Sequence, residues 1–186
     1  MLAMLISLAL SAFVLGSIPF SALVALLFKR VKIHTIGDKN PGARNVYHTL
    51  GLLPGLLALL LDMGKGMTLV MMARVFDASL IMTLMYLFIG LMGHAFSPFL
   101  KFRGGQGVAM LVGALAYLFP IPAMIAGGVF FLLRHWGIAF DLRYSLALVL
   151  FTFIVFFTSS ISWMELTSMI LLFIFPLIKG YFFPKK

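Results

Sequence analysis

A glycine-dense polar segment lies between two long apolar runs, at residues 93–108 with the sequence GHAFSPFLKFRGGQGV. Glycines present backbone N–H groups without an obstructing Cβ, and Arg103 adds a fixed positive charge. If a helix begins at Val108, its positive dipole end also faces this loop. A flexible turn is the alternative. The residue types predict an anion site, most simply a phosphate site, formed by Arg103, Gly104, Gly105 and Gly107.

A second polar stretch of similar character, GDKNPGARN, occupies residues 37–45. Its NPG triplet indicates a tight turn. The amides of Asn40 and Asn45 are potential hydrogen-bond donors, and Lys39 and Arg44 bring positive charge. A solvated basic loop would have the same composition. Two such loops on one membrane face, however, predict a shared pocket in which a water-soluble reactant meets a lipid-borne one.

Asp62 and Lys65 lie three residues apart in an otherwise apolar run. At that spacing they share one helix face and can form an ion pair. Ionisable side chains within a membrane span are costly and indicate a functional site, but an ion pair that holds helices together would explain them equally well. The residues alone leave both interpretations open.

His94 lies near the end of an apolar run, beside the glycine loop. A neutral imidazole there could accept a proton from a hydroxyl nucleophile, which makes His94 the candidate catalytic residue. A structural hydrogen-bonding role is the alternative. The remaining histidines lack the spacing of a metal site, so no metal is predicted; they are His34, His48 and His135.

The composition indicates an integral membrane protein. Hydrophobic residues make up 63% of the 186 residues and charged residues only 10%, and the mean hydropathy is +1.14. A soluble domain of this size could not bury so much apolar surface. The chain has no cysteine, which excludes disulfides and thiol nucleophiles. The net charge of +9 is attributed to cytoplasmic Lys and Arg, and nucleic-acid binding is not expected.

The apolar runs predict an all-α bundle of about seven transmembrane helices in a single domain, residues 1–186. The first run is too long for a signal peptide and is expected to remain as a helix. Small residues such as Gly113, Gly127 and Gly128 would allow helices to approach closely. The predicted helices cover residues 2–28, 51–76, 78–96, 108–119, 121–133, 145–158 and 163–183.

The distribution of charge predicts the orientation. With seven spans and the N-terminus outside, residues 29–50, 97–107 and 134–144 lie on the same side as the C-terminal end. Together with the C-terminal end, where Lys179 is counted with Lys185 and Lys186, these segments hold 12 of the 14 Lys and Arg residues. Such asymmetry is typical of the positive-inside rule, so the N-terminus is predicted outside and the C-terminus in the cytoplasm.

The motifs together resemble the bacterial membrane glycerol-3-phosphate acyltransferases that use acyl phosphate as donor (PlsY-type). The resemblance covers most of the chain, and the motifs agree in order, spacing and membrane placement. They are G-x-x-N-x-G-A-x-N at 37–45, L-D-x-x-K-G at 61–66, G-H at 93–94, F-x-G-G-x-G-V-A at 102–109 and S-L-A at 145–147.

This resemblance implies a multi-pass plasma-membrane enzyme of phospholipid synthesis with cytoplasmic active-site loops. It would transfer an acyl group from acyl phosphate to glycerol 3-phosphate, giving lysophosphatidic acid, with no metal or other cofactor and no nucleic-acid partner. His94 would orient or deprotonate the attacking hydroxyl. The implied substrate-binding residues are Gly37, Asn40, Gly42, Asn45, Lys65, Arg103, Gly104, Gly105, Gly107 and Ser145; Ser145 could equally cap the sixth helix.

Several positions depart from the family pattern. Asp38 and Lys39 replace Ser-Gly, His48 replaces an expected Arg, and Gln106 replaces a Lys. A His and an Asn expected near the end of the last helix have no counterpart around residues 179–183. Lys39, Arg44 or Lys101 could compensate for the lost charge. Two alternatives therefore accompany the main hypothesis: a different hydroxyl acceptor, or a non-catalytic paralogue that binds a lipid or phosphorylated metabolite. A small transporter fits less well, because no inverted halves are visible.

Overall fold

A computed structural model describes residues 2–182, with Phe183, Lys185 and Lys186 outside this range. The described residues form nine α-helices and two one-turn 3₁₀ helices, Ile33–Thr35 and Pro98–Leu100. The α-helices are α1 Leu2–Ser17, α2 Phe20–Lys29, α3 Ala43–Leu50, α4 Leu52–Val75, α5 Leu80–Ala95, α6 Val108–Leu118, α7 Pro120–His135, α8 Phe140–Thr158 and α9 Trp163–Phe182.

Five helical segments of the described residues are long and apolar enough to cross a membrane. They are Ile6–Lys29, Leu52–Val75, Leu80–Leu100, Phe140–Thr158 and Trp163–Tyr181. Their outward faces carry large apolar side chains, for example Leu27 and Val75 at more than three-quarters exposure. Such surfaces are stable only in lipid. The protein is therefore an all-helical integral membrane protein, as the composition predicts.

The first apolar run is broken where the sequence predicted one continuous helix over residues 2–28. Helix α1 ends at Ser17, and α2 begins at Phe20. Pro19 lacks a backbone N–H and disfavours a helical conformation in the preceding residue, so Ile18 lies outside both helices. The break exposes the last carbonyl groups of α1, and polar side chains from other helices satisfy them, as described below.

Two of the predicted boundaries need correction. Residues 29–50, expected to be a polar loop, contain the short helix α3. The sixth helix was expected to begin at Ser145 but begins at Phe140. The polar residues before Ser145, Asp141 and Arg143, form the first turns of this otherwise apolar helix. Ser145 consequently lies inside α8, where its hydroxyl donates to the carbonyl of Asp141 at 2.8 Å. It does not cap the helix.

Glycines bring two helix pairs into close contact. Gly16 of α1 faces the backbone of Gly90 in α5, and Gly113 of α6 faces the backbone of Met63 in α4. Such close approach is how small residues promote helix association in membranes. The expectation for Gly113 is confirmed. That for Gly127 and Gly128 is wrong, since a methyl group at either would meet no atom within 4 Å.

Candidate active site

The break between α1 and α2 is held by the side chain of Lys65 from the middle of α4. Its ammonium group donates to the carbonyls of Gly16, at 3.0 Å, and Ile18, at 2.8 Å. The Ser97 hydroxyl donates to the intervening carbonyl of Ser17 at 2.6 Å. Three consecutive carbonyls that left the helical pattern are therefore paired, which allows non-helical backbone inside an apolar bundle.

Asp62 completes the charge balance on the same face of α4. Its Oδ1 lies 3.4 Å from the Lys65 ammonium, so the ion pair predicted from the spacing is confirmed. Its Oδ2 accepts a hydrogen bond from the hydroxyl of Ser21 at 2.7 Å. Both charged side chains are almost fully buried. Since Ser21 lies in the first turn of α2, the carboxylate also faces the positive end of that helix.

Lys65 also binds His94, the candidate catalytic residue. The ammonium group lies 3.0 Å from Nδ1 of the imidazole. A charged lysine has three hydrogens and no acceptor, and these three face the two carbonyls and Nδ1. Nδ1 therefore accepts, and the neutral ring of His94 carries its hydrogen on Nε2. In this tautomer the hydrogen on Nε2 lies on the side of the glycine loop.

The glycine loop lies on this imidazole. Gly104, Gly105 and Gly107 are buried, and a methyl group on Gly105 would come within 2.5 Å of Nε2 of His94. Gly107 has a φ of +87° and its missing side chain would collide with Leu91, so only glycine fits there. Helix α6 then begins at Val108, as predicted. The loop and His94 thus form one packed unit.

A second buried lysine, Lys179 of α9, lies beside the same helix end. Its ammonium group donates to the carbonyl of Ala95 at 2.7 Å and lies 4.1 Å from the ring centre of Phe96. Sequence reasoning counted Lys179 only as a C-terminal cation. Its position inside an apolar helix is the signal that could have identified it, because intramembrane ionisable residues always need a partner.

Asn45 organises the first polar loop from within. Its amide donates to the carbonyls of Ile33, at 3.0 Å, and Ile36, at 2.9 Å. Its Oδ1 accepts from the backbone N–H of Asp38 at 3.2 Å and from the hydroxyl of Thr49 at 3.1 Å. These contacts use both amide hydrogens within the protein, so Asn45 shapes the wall of the loop.

The turn before α3 is built by local contacts. Gly37 has a φ of +62°, and a side chain there would collide with Asn45. The carboxylate of Asp38 accepts from the backbone N–H of Asn40 at 2.8 Å, a local turn that asparagine and aspartate favour. Gly42 precedes the first residue of α3, with the Asn40 amide 3.7 Å from its unoccupied Cβ position.

A cavity of about 410 Å³ opens beside the glycine loop. Its polar lining comes from Arg44 of α3, Gln106 of the loop, and Asp141 and Tyr144 of α8, and its apolar wall comes from α8 and α9. Gln106 follows Gly105, the residue that lies on His94. The cavity therefore adjoins the packed unit, and it has the volume typical of small-molecule sites.

The predicted site residues fall into two groups. Lys65, His94 and the three buried glycines come together, while Asn40, Gly42 and Asn45 shape the neighbouring loop. Arg103 is exposed, none of the predicted site residues lines the cavity itself, and the catalytic and binding roles of all of them stay predictions. Within residues 2–182, no three His, Asp or Glu side chains gather as metal ligands.

Comparison with known proteins gives a consistent result. The family profile described as glycerol-3-phosphate acyltransferase matches residues 6–180. A glycerol-3-phosphate acyltransferase 2 from Dehalococcoides mccartyi is 38% identical over 67% of this chain, and the aligned part spans only 60% of that relative's length. The glycerol-3-phosphate acyltransferase of Helicobacter pylori is 32% identical over 91% of this chain and 85% of its own length.

A solved structure matches the fold. PlsY (YgiH), described as an integral membrane glycerol 3-phosphate acyltransferase in its glycerol 3-phosphate form, superposes with a TM-score of 0.84. The two chains are 26% identical, and the match covers 95% of this chain and 88% of PlsY. A second structure, the lysophosphatidic acid form of PlsY, gives a TM-score of 0.83.

Replacing Lys65 should destabilise the bundle strongly. In Lys65→Met the buried Asp62 carboxylate and two carbonyls lose their partner, which is expected to lower the free energy of unfolding by about 3–5 kcal/mol. Arg74→Met is the matched control, because Arg74 is an exposed cation on the same helix, and should change stability by less than about 0.5 kcal/mol. The measurement is denaturant unfolding in detergent.

The double variant Asp62→Asn/Lys65→Met removes both charges and should recover part of the loss. If Lys65→Met proved as stable as Arg74→Met, the ammonium group would not be holding the break between α1 and α2.

Proposed function

Because this chain belongs to the glycerol-3-phosphate acyltransferase family, we propose that it transfers an acyl group from acyl phosphate to glycerol 3-phosphate, producing lysophosphatidic acid and phosphate. The observation that carries the proposal is the junction of the glycine loop, His94 and the adjoining cavity. At this junction Lys65 fixes the imidazole of His94, the backbone of the glycine loop lies close to that ring, and a cavity of ligand size adjoins the loop.

The proposed reaction needs positioning more than a strong base. The acceptor hydroxyl oxygen attacks the acyl carbon, the bond between that carbon and the phosphate oxygen breaks, and the hydroxyl proton ends on the released phosphate. Acyl phosphate carries a good leaving group, so no acyl-enzyme is required. Orientation of the two substrates and stabilisation of the developing negative charge then supply the acceleration.

We assign His94 the role of a hydrogen-bond donor in this reaction. Its Nδ1 is occupied by Lys65, and its Nε2–H is directed at the glycine loop, the side from which a loop-bound phosphate would be contacted. Lys65 acts through His94 as a positioning residue, since its ammonium hydrogens face protein acceptors. Arg103 remains a proposed phosphate contact on the outer side of the loop.

We also propose that the N-terminus lies outside and the C-terminus in the cytoplasm. The cavity combines residues from α3, the glycine loop, the start of α8 and the end of α9, and the charge distribution assigns these four segments to one side. Helices α6 and α7, with 11 and 16 residues, are short for the roughly 20 residues of a span. Helices α6 and α7 follow each other directly. Whether both cross the membrane or neither does, α8 begins on the same side of the membrane as the glycine loop.

Cysteine labelling should reveal this orientation. The chain has no cysteine, so single variants report one position each. In intact cells, a membrane-impermeant maleimide should label Ser160→Cys, between α8 and α9, and should label Thr35→Cys only after permeabilisation; both positions are exposed. The reverse pattern would invert the proposed topology.

Activity of the purified protein is the direct test of the proposed function. With palmitoyl phosphate and labelled glycerol 3-phosphate, lysophosphatidic acid and inorganic phosphate should form in equal amounts. Absence of product from folded protein would overturn the proposal. Other hydroxyl acceptors assayed in parallel would identify a changed acceptor.

Substitutions of His94 should distinguish a donor from a base. Loss of the donor in His94→Ala should lower kcat by about 10²–10³-fold. His94→Gln places an amide N–H near the former Nε2 and should retain more activity than His94→Asn, whose amide lies near the former Nδ1 and faces Lys65. Equal loss in all three variants would contradict the donor role and favour a base.

A further inference from the structure

The cavity beside the glycine loop contains a polar group without a partner. Tyr144 is 4% exposed, it lines the cavity, and no hydrogen-bond partner is found for its hydroxyl among the described residues. Buried hydroxyls are nearly always hydrogen-bonded, because an unpaired one has lost its water without compensation. The hydroxyl is itself shielded from solvent, so a ligand in the cavity would pair with it after a small rearrangement of the wall.

Arg44 contributes a positive charge to the same cavity. Its guanidinium group lies 4.5 Å from the ring centre of Phe140, and this ring in turn stacks on that of Tyr144 with an interplanar angle of 5°. This cation–π contact uses none of the hydrogen bonds of the guanidinium, so its N–H groups stay available for a bidentate contact. The arginine is therefore held in place without being neutralised.

The other cations of the two loops do not reach this cavity. Lys39, Lys101 and Arg103 are absent from its lining, whereas Arg44 is part of it. Asp141 also lines the cavity, but its carboxylate forms no ion pair with Arg44 among the described residues. Gln106, which also lines the cavity, is neutral and brings only an amide. Arg44 is thus the cation of this cavity within residues 2–182.

From this arrangement we infer that Arg44 binds the phosphate group of a phosphorylated substrate, with the Tyr144 hydroxyl and the Gln106 amide as further donors. The inference rests on the proposed function and adds the residue that supplies the charge. Arg44 lies in the first turn of α3. The positive end of the helix dipole therefore lies beside the guanidinium and also favours an anion there. Both proposed substrates carry a phosphate, and kinetics can tell them apart.

Arg44→Gln is the test, measured with palmitoyl phosphate and glycerol 3-phosphate varied separately. Loss of a charge-assisted bidentate contact should raise KM roughly 10- to 100-fold for the substrate whose phosphate is held there, with kcat changed less than about threefold. A rise for glycerol 3-phosphate assigns the cavity to the acceptor, and a rise for palmitoyl phosphate assigns it to the donor. Unchanged KM values in an active protein would overturn the inference and leave the proposed function intact.

Lys39→Gln and Lys101→Gln are the matched controls, because they remove the same charge from the same loops outside the cavity. Their KM values should stay within about twofold of those of the unaltered protein. Gln106→Lys added to Arg44→Gln restores a cation at another position of the cavity lining and should recover part of the lost affinity. A merely structural role of Arg44 would not be rescued in this way, so absence of any recovery counts against the inference.

Binding of inorganic phosphate, measured without catalysis, distinguishes the inferred phosphate site at Arg44 from the proposed acyltransferase function. Inorganic phosphate should raise the thermal midpoint of the unaltered protein and should have little effect on Arg44→Gln. If that difference is seen in a protein that forms no lysophosphatidic acid, the phosphate site stands and the proposed function fails. If phosphate stabilises both proteins equally, or neither, the site is overturned.

Discussion

The ammonium group of Lys65 lies where α1 ends, and the helix break, the carboxylate of Asp62 and the ring of His94 all meet on it. A buried ion pair is weakly stabilising at best, because desolvating each ion costs several kcal/mol. An unpaired carbonyl in an apolar bundle is also costly. Here each group satisfies the other, since the carbonyls released by Pro19 are the acceptors that the lysine needs. The break and the charge are stable only together.

Helix dipoles explain why the buried charges have these signs. Lys65 lies at the negative end of α1, Lys179 donates to the last residue of α5, and Asp62 faces the positive end of α2. Each charge lies against the helix end of opposite partial charge, where the interaction is strongest in a water-poor environment. Because α1 and α5 also pack closely through Gly16 and Gly90, the end of α1 lies near the end of α5, where His94 contacts Lys65.

Much of this arrangement was predictable from local signals. The membrane class, the start of α6 at Val108 and the Asp62–Lys65 pair follow from hydropathy, glycine chemistry and helical spacing. The break at Ile18 was not predicted, since Pro19 lies in an unbroken apolar run and its consequence depends on a lysine 46 residues away in sequence. The contact between Lys65 and His94 and the stacking of Arg44 on Phe140 are tertiary, and no single-helix pattern contains them.

The positions at which this chain departs from the family pattern are more exposed than the motif positions that it keeps. Asp38 and His48 are exposed and Gln106 is half-buried, whereas Asn45, Asp62, Lys65 and His94, which keep the motif, are buried. A change in the buried set would leave a charge, a carbonyl or an amide without a partner, and would therefore disturb the fold as well as the chemistry. A change at an exposed or half-buried position leaves these buried contacts intact. A cation can therefore be absent at Gln106 and present at Arg44, whose guanidinium lies over the Phe140 ring, at little cost to the bundle that positions His94.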